Sequence, residues 1–328
     1  MNKRLKDNNF CPLVSILIPC YNHQLFVADC LQSIISQTYS NIEVIILDDC
    51  STDDSFTIIK SWESRLRERF NHVIIDKNPS NMGITKNLNK LISLSKGEYL
   101  KLLASDDMLV PTCIEESVSI TVSEGYDLVC GNAYVVDESV RWNNVKQNNF
   151  RLYCENTNKG SENLTDALLR KFYICAPTLL YPRATFEKFG LFDTSFSFED
   201  WEYCLRISTK GKIGFVEKPW VYYRYVVGSA SHFDVSIKGR EKNRKFYKEK
   251  KLIFTKYVQY ATRETEVHFY NKELAAAIVL YDKELAKEVV DEMKQKSIRI
   301  EFSNKIRIIL FKTGIYPVAK KMKHIFKR

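Results

Sequence analysis

Over the first hundred residues, short apolar runs alternate with stretches in which apolar side chains recur every three or four positions. Leu13–Ile18 predicts a strand, Phe26, Val27, Cys30, Leu31, Ile34 and Ile35 share one face of a helix, and Ile42–Leu47 predicts a second strand. The rhythm continues with a helix over Phe56–Phe70, a strand at His72–Asp76, a helix at Ile84–Leu94 and a strand at Tyr99–Leu103. Such βαβ alternation predicts an α/β fold, Rossmann-like, with a mostly parallel central sheet flanked by helices and functional loops at the carboxyl ends of its strands. From Trp142 to Lys159 the chain turns polar and Asn-rich, which reads as a flexible loop within the domain. From Lys238 onward it becomes helical and Lys-rich, and Leu274, Ile278, Tyr281, Leu285 and Val289 share one helical face in residues 271–296. The expected organisation is therefore an α/β domain over 10–236 followed by a basic helical C-terminal region over 237–328.

Composition narrows the setting. A chain of 328 residues, 45% hydrophobic and 27% charged, can bury a large core. Its nine cysteines include no C-x-x-C pair, so neither a disulfide framework nor a zinc site is expected, and a cytoplasmic setting fits. The polar first residues lack a signal-peptide core, and no run approaches the roughly 18 apolar residues that span a bilayer. Any membrane association is then peripheral, at the inner face of the cell membrane. The formal charge of +9 is uneven, because residues 238–328 carry 24 basic against 11 acidic side chains. Residues 303–328 hold eight of those basic residues, no acid, and interleaved apolar positions such as Ile306, Ile309 and Phe326. That pattern suits either an amphipathic segment on an anionic membrane surface or a solvated basic tail; a nucleic-acid partner is not expected.

Chemistry concentrates after the strands. Pro19-Cys20-Tyr21-Asn22-His23 contains no glycine, so it cannot form the close pyrophosphate turn of a G-x-G-x-x-G dinucleotide site. Tyr21 can stack on a nucleobase, whereas Asn22 either meets the ligand or caps the next helix. In Asp48-Asp49-Cys50-Ser51-Thr52-Asp53-Asp54 the last two acids suit a helix start capped by Ser51 or Thr52, while Asp49 can accept hydrogen bonds from a base or ribose. Asn81-Met82-Gly83-Ile84-Thr85-Lys86 opens a helix whose N–H groups, with Lys86, can face phosphate; a plainly capped helix is the alternative. Asp106 and Asp107 follow a buried strand, and their repulsion is best offset by a divalent cation, Mn2+ or Mg2+, or by ligand hydroxyls. In Phe198-Glu199-Asp200-Trp201-Glu202 the aromatic flanks desolvate the carboxylates and raise their basicity, although acids also simply complement a helix N-terminus.

Taken in order, these loops resemble the family 2 glycosyltransferases of the GT-A fold, inverting enzymes of the kind that build bacterial polysaccharides. The resemblance covers about residues 12–235 and rests on Val14–Asn22, Ser33–Tyr39, Asp48–Asp53, Asn81–Asn87, Lys96-Gly97-Glu98-Tyr99, Ser105-Asp106-Asp107 and Glu199-Asp200-Trp201. It implies a donor site of Pro19, Tyr21 and Asp49 around the base with Asp106 by the ribose, to which Asn22 and Lys86 are added as candidates. It further implies Asp107 as the metal ligand and Asp200 as the catalytic base; Glu199, Trp201 and, as a substitute for the family's histidine, His232 are added as candidates on the acceptor side. The implied partners are a nucleotide-diphosphate sugar and a glycan or lipid-linked acceptor.

Three positions depart from the family pattern. Ala104 stands where many relatives have Asp, Cys50 where they have Gly, and Val226 where they have His. Ala104 and Val226 also motivate the alternative of a catalytically impaired nucleotide-sugar binding protein of the same fold. A nucleotidyltransferase is disfavoured because the Gly-rich N-terminal phosphate loop is missing.

Overall fold

The computed structural model describes residues 11–145, 150–154, 163–226, 239–280 and 282–312. Its contacts separate two compact units, Met1–Gly160 with Tyr173–Val227, and Ser161–Phe172 with Gly228–Arg328.

In the first unit the chain runs β1 (Val14–Cys20), α1 (Val27–Ile35), β2 (Ile42–Asp48), α2 (Ser55–Ser61), α3 (Glu63–Arg69), β3 (His72–Lys77), α4 (Ile84–Leu94), β4 (Tyr99–Leu102), β5 (Met108–Leu109), α5 (Cys113–Glu124), β6 (Leu128–Asp137) and β7 (Arg151–Leu152). The helix expected over Phe56–Phe70 is two helices, broken at Trp62, which leaves each only seven residues long. After α6 (Leu164–Arg170), which belongs to the second unit, come β8 (Leu180–Pro182), α7 (Arg183–Phe189), α8 (Glu199–Ser208) and β9 (Ile213–Tyr225).

The strands form one sheet in the order β3-β2-β1-β4-β8-β6-β9-β5, with β7 paired to β6. The β3-β2-β1-β4 half is parallel, β8 is antiparallel to both of its neighbours, and β6 runs parallel to β9. All seven residues of β2 are buried, as expected of a strand covered on both faces. The core holds Ile16, Ile18, Val44, Ile46, Leu31 and Ile34 at or near zero exposure; each such side chain contributes roughly 1.5–3 kcal/mol of transfer free energy.

Glu43 on β2 is buried among these apolar residues and accepts from Ser15 Oγ (2.5 Å), Lys96 N–H (2.5 Å) and Gly97 N–H (2.9 Å). The chain passes so close there that a Cβ on Gly97 would lie 2.6 Å from the Ser15 nitrogen. The turn entering β4 therefore requires glycine, and with it the register that delivers Ser105–Asp107.

Within the polar stretch beginning at Trp142, some of the described residues are packed. Val140 and Val145 are buried with Met108, Val136 and Tyr222 in a second, smaller core, against which Trp142 and Phe150 pack. Residues 146–149 and 155–162 lie outside the described residues.

The second unit contains α6, α9 (Gly239–Tyr257), α10 (Arg263–Val279), α11 (Lys283–Gln295) and α12 (Phe302–Lys312). The single helical face read across 271–296 belongs to two helices, since Asp282 caps α11 by accepting from Leu285 N–H (3.0 Å). Tyr281 lies outside the described residues. The segment 163–172 joins this unit through Asn163 Nδ2 donating to Tyr260 O (2.8 Å) and Arg170 pairing with Glu264 (2.6 Å). No described helix is long and apolar enough to cross a membrane.

Candidate active site

The strand order reverses its direction of growth between β1 and β4, which leaves a crevice at their carboxyl ends. A cleft with about 450 Å³ of unfilled space, open to solvent, lies there. Its walls include Pro19 from β1, Leu103 and Ala104 after β4, Ile84 from α4, Pro177, and Glu199 with Asp200 from α8.

The loop after β1 is stitched to the loop after β2. Asn22 Oδ1 accepts from Thr52 N–H (2.9 Å), and Asn22 N–H donates to Ser51 Oγ (3.0 Å). Asn22 therefore does not cap α1, whose N-cap position is Phe26 with no side-chain bond. Nor do Ser51 or Thr52 cap α2: Asp53 Oδ1 accepts from Ser55 N–H (3.0 Å), and its other oxygen accepts from Gln24 N–H (3.1 Å). Cys50, in the place of the family's glycine, adopts a left-handed conformation with φ 63°, as does Asn22 with φ 55°. Tyr21 stands 44% exposed between these stitched loops.

Asp49 is buried and fully engaged. Its carboxylate accepts from Asn78 Nδ2 (2.8 Å), Met82 N–H (2.9 Å) and Gly83 N–H (2.9 Å), so it holds the turn that starts α4. Gly83 has φ 82°, a conformation that glycine adopts without strain. Lys86 lies exposed in the first turn of α4.

After β4, Asp107 is 2% exposed, and its Oδ1 accepts from the backbone N–H of Arg224 (2.8 Å). Burial, and then the charge of Asp106, push its carboxyl well above the usual range. Asp106 is more accessible, and its side chain lies 3.8 Å from His23 Nδ1, which also contacts Ser105 Oγ at 2.8 Å. Adjacent hard-oxygen donors whose repulsion and desolvation call for positive charge fit a divalent cation. Among the described residues no cluster of three or more His, Cys, Asp or Glu side chains is arranged to hold a metal, so a cation here would draw its other ligands from bound diphosphate.

Glu199 and Asp200 open α8 at the cleft. Burial raises both carboxyls, and the neighbouring Asp200 charge adds to the effect on Glu199, which is pushed up to about 8. Asp200 Oδ1 accepts from Trp201 N–H (2.7 Å), and Trp201 is buried at 8% exposure.

The cleft thus joins Pro19, Glu199 and Asp200. Asp49 and Asp107 are buried and bonded within the adjoining loops, and neither is part of its wall, nor are Tyr21, Asn22, Lys86 and Asp106. His232 lies outside the described residues.

Two residues that sequence reasoning did not select emerge at the site. His23 bridges the loops after β1 and β4, and Asp29 on α1 lies 3.5 Å from Arg224 Nη2. A single polar residue on an otherwise amphipathic helix carries no pattern, so Asp29 reads as an ordinary first-turn acid.

The family model for glycosyl transferase family 2 matches residues 15–189. An uncharacterized glycosyltransferase of Rickettsia prowazekii is 31% identical over 199 residues, 59% of this chain and 58% of its own length. The chain therefore spans little more than half of that relative. Among solved structures, S. aureus TarS residues 1–349 in complex with UDP-GlcNAc matches 88% of this chain and 93% of its own, with a TM-score of 0.56 and 16% identity. The mannosyltransferase PcManGT of Pyrobaculum calidifontis, in complex with GDP-Man and Mn2+, matches 98% and 89%, with a TM-score of 0.55 and 14% identity. At those identities the structures establish a shared GT-A fold. With the sheet, the strand-end acids and the family match in agreement, this chain belongs to the family 2 glycosyltransferases.

Proposed function

We propose that the protein transfers a sugar from a nucleotide-diphosphate donor, UDP-linked in the simplest case, to a hydroxyl of a glycan or lipid-linked acceptor, with inversion at the anomeric carbon. The observation that carries this reading is the Glu199–Asp200 pair at the cleft, whose carboxyls are raised by burial toward the range of a working base. In this reading Asp200 takes the proton from the acceptor hydroxyl, while Glu199 and Trp201 limit water around it. Tyr21 stacks on the base, and Pro19, Asn22, Lys86 and Asp106 line the donor side. The bonds of Asp49 to the 82–83 turn support a role in shaping the base site. A divalent cation, Mn2+ or Mg2+, held by Asp107 would stabilise the charge that develops on the departing diphosphate.

The TarS and PcManGT complexes, with UDP-GlcNAc and with GDP-Man and Mn2+, support a nucleotide-sugar donor and a metal. Ala104 and Val226 favour an impaired binding protein only by what they lack. The raised carboxyl pair at the cleft supports the catalytic reading.

A thermal-shift series of UDP- and GDP-sugars, with and without Mn2+, tests the donor class, because a ligand that binds only the folded chain raises its melting temperature. Asp200→Asn is then expected to abolish transfer while leaving the donor-induced shift intact. Loss of both together would count against Asp200 as the base. The tail over 303–328, with eight basic residues and no acid, is assigned to an anionic membrane surface. Its deletion should release the protein from vesicles containing phosphatidylglycerol, and unchanged partition would remove the assignment.

A further inference from the structure

Arg224, at the end of β9, is almost fully buried, and it grips the Asp106–Asp107 turn twice. Its backbone N–H donates to Asp107 Oδ1 (2.8 Å), and its Nε donates to the Asp106 carbonyl (2.8 Å). Its Nη1 donates to the Val140 carbonyl, and the guanidinium carbon lies 4.8 Å from the centre of the Phe26 ring. Nη2 makes no hydrogen bond among the described residues, and neither does Asp29 Oδ2; the two atoms are 3.5 Å apart. The other Asp29 oxygen accepts from Trp142 N–H (2.9 Å), and Arg141 Nε lies 3.7 Å from Oδ2. A buried guanidinium costs several kcal/mol in desolvation unless an opposite charge stands beside it, and Asp29 acts on it more strongly than Asp107 or Asp106.

We infer that Asp29, from the first turn of α1, is a positioning residue that holds Arg224, and through Arg224 the orientation of the Asp107 carboxylate. The inference rests on the reading of Asp107 as metal ligand for its functional consequence, and on the geometry alone for its structural one. Partners that orient a ligating carboxylate commonly alter metal affinity 10- to 100-fold when removed. Asp29 acts one residue further out, so the lower end of that range applies.

The test compares Asp29→Asn with Arg141→Met in the full chain. Asn keeps an acceptor for Trp142 N–H but removes the charge beside Arg224. Met removes the Arg141 charge beside Asp29 while leaving the Asp29–Arg224 pair in place. Hydrogen exchange of the Arg224 amide, which needs no metal, should speed up about tenfold in Asp29→Asn and stay near wild type in Arg141→Met. Mn2+ affinity measured by titration calorimetry in the presence of UDP should fall about tenfold in Asp29→Asn alone.

Equal effects in both variants, or an unchanged Arg224 amide in Asp29→Asn, overturn the inference. Faster amide exchange in Asp29→Asn, in a protein whose wild type binds no Mn2+, supports the positioning role and instead overturns the reading of Asp107 as a metal ligand. If Asp29→Asn does not fold, Asp29→Glu keeps the charge and is expected to retain most of the Mn2+ affinity. Loss of affinity in that folded variant would likewise count against a role carried by charge.

Discussion

The ring of His23 lies 2.8 Å from the hydroxyl of Ser105, linking the loop after β1 to the loop that carries Asp106 and Asp107. Its backbone N–H is held separately by Ser55 Oγ at 2.8 Å, so the imidazole is aimed by α2 as well as by its own loop. His23→Ala should therefore loosen the donor side without unfolding the chain. We expect the KM for the nucleotide sugar to rise about tenfold, as loss of a polar contact worth about 1–1.5 kcal/mol would give, with a melting temperature within a few degrees of wild type. An unchanged KM would confine His23 to a structural role.

If Asp200 is the base proposed above, the Glu199–Asp200 pair should make transfer depend on pH. A raised carboxyl is protonated over a wider range, so transfer should climb with pH as the pair loses its protons in two coupled steps. Glu199→Gln removes the like charge beside Asp200 and should move the acid limb of the pH–rate profile to lower pH. Stability follows the opposite course. Because the folded-state value of Glu199 lies above its ordinary 4.5, its contribution is complete at low pH and is lost as pH rises toward about 8. Thermal melts from pH 5 to pH 9 should show this loss in the wild type and a flatter curve in Glu199→Gln.

Lys101 on β4 is completely buried, and only the thiols of Cys113, Cys175 and Cys130 and the more distant Asp107 carboxyl offset the desolvation of its ammonium among the described residues. Burial lowers its pKa, which means the folded chain disfavours the charged form. Lys101→Met fills a similar volume without that cost and should stabilise the protein by about 1–3 kcal/mol. The unfolded chain binds the proton more readily, so the wild type gains stability as pH rises toward the ordinary lysine value of 10.5. The advantage of the methionine variant should narrow correspondingly between pH 7 and pH 10 in chemical denaturation.

Cys50 occupies a left-handed backbone conformation that costs a residue with a Cβ about 1–2 kcal/mol. Glycine avoids that strain but returns roughly 0.5–1 kcal/mol in chain entropy, so Cys50→Gly should stabilise the fold by about 0.5 kcal/mol. Denaturant melts that place the variant below wild type would show instead that the Cys50 side chain contributes packing that outweighs the strain.

The β1-α1-β2 and β4 elements were legible from the residues because their periodicities report burial directly: a strand covered on both faces must be apolar throughout, and a surface helix must alternate at 3.6. The strand-end acids stood out for the same reason, since nothing in the packing of β2 or β4 asks for a carboxylate. Where local pattern and long-range contacts differ, the pattern was silent. It merged α2 with α3 and ran α10 into α11, whose break is marked only by the local cap of Asp282 on Leu285, and it left Val140 and Val145 unrecognised as core because their partners Met108 and Tyr222 are far away in the chain.

The residues by themselves determined that an α/β sheet presents acids after β2 and β4, and that another acidic pair opens a later helix. Only the tertiary structure decided which of those acids face open space. Asp49 is engaged by the backbone N–H groups of residues 82–83 and one oxygen of Asp107 by that of residue 224, while Asp200 lines the cleft with its basicity raised. The reason is physical: a carboxylate's role depends on its desolvation and its hydrogen-bond donors, and for Asp49 and Asp107 the backbone donors come from residues 82–83 and 224.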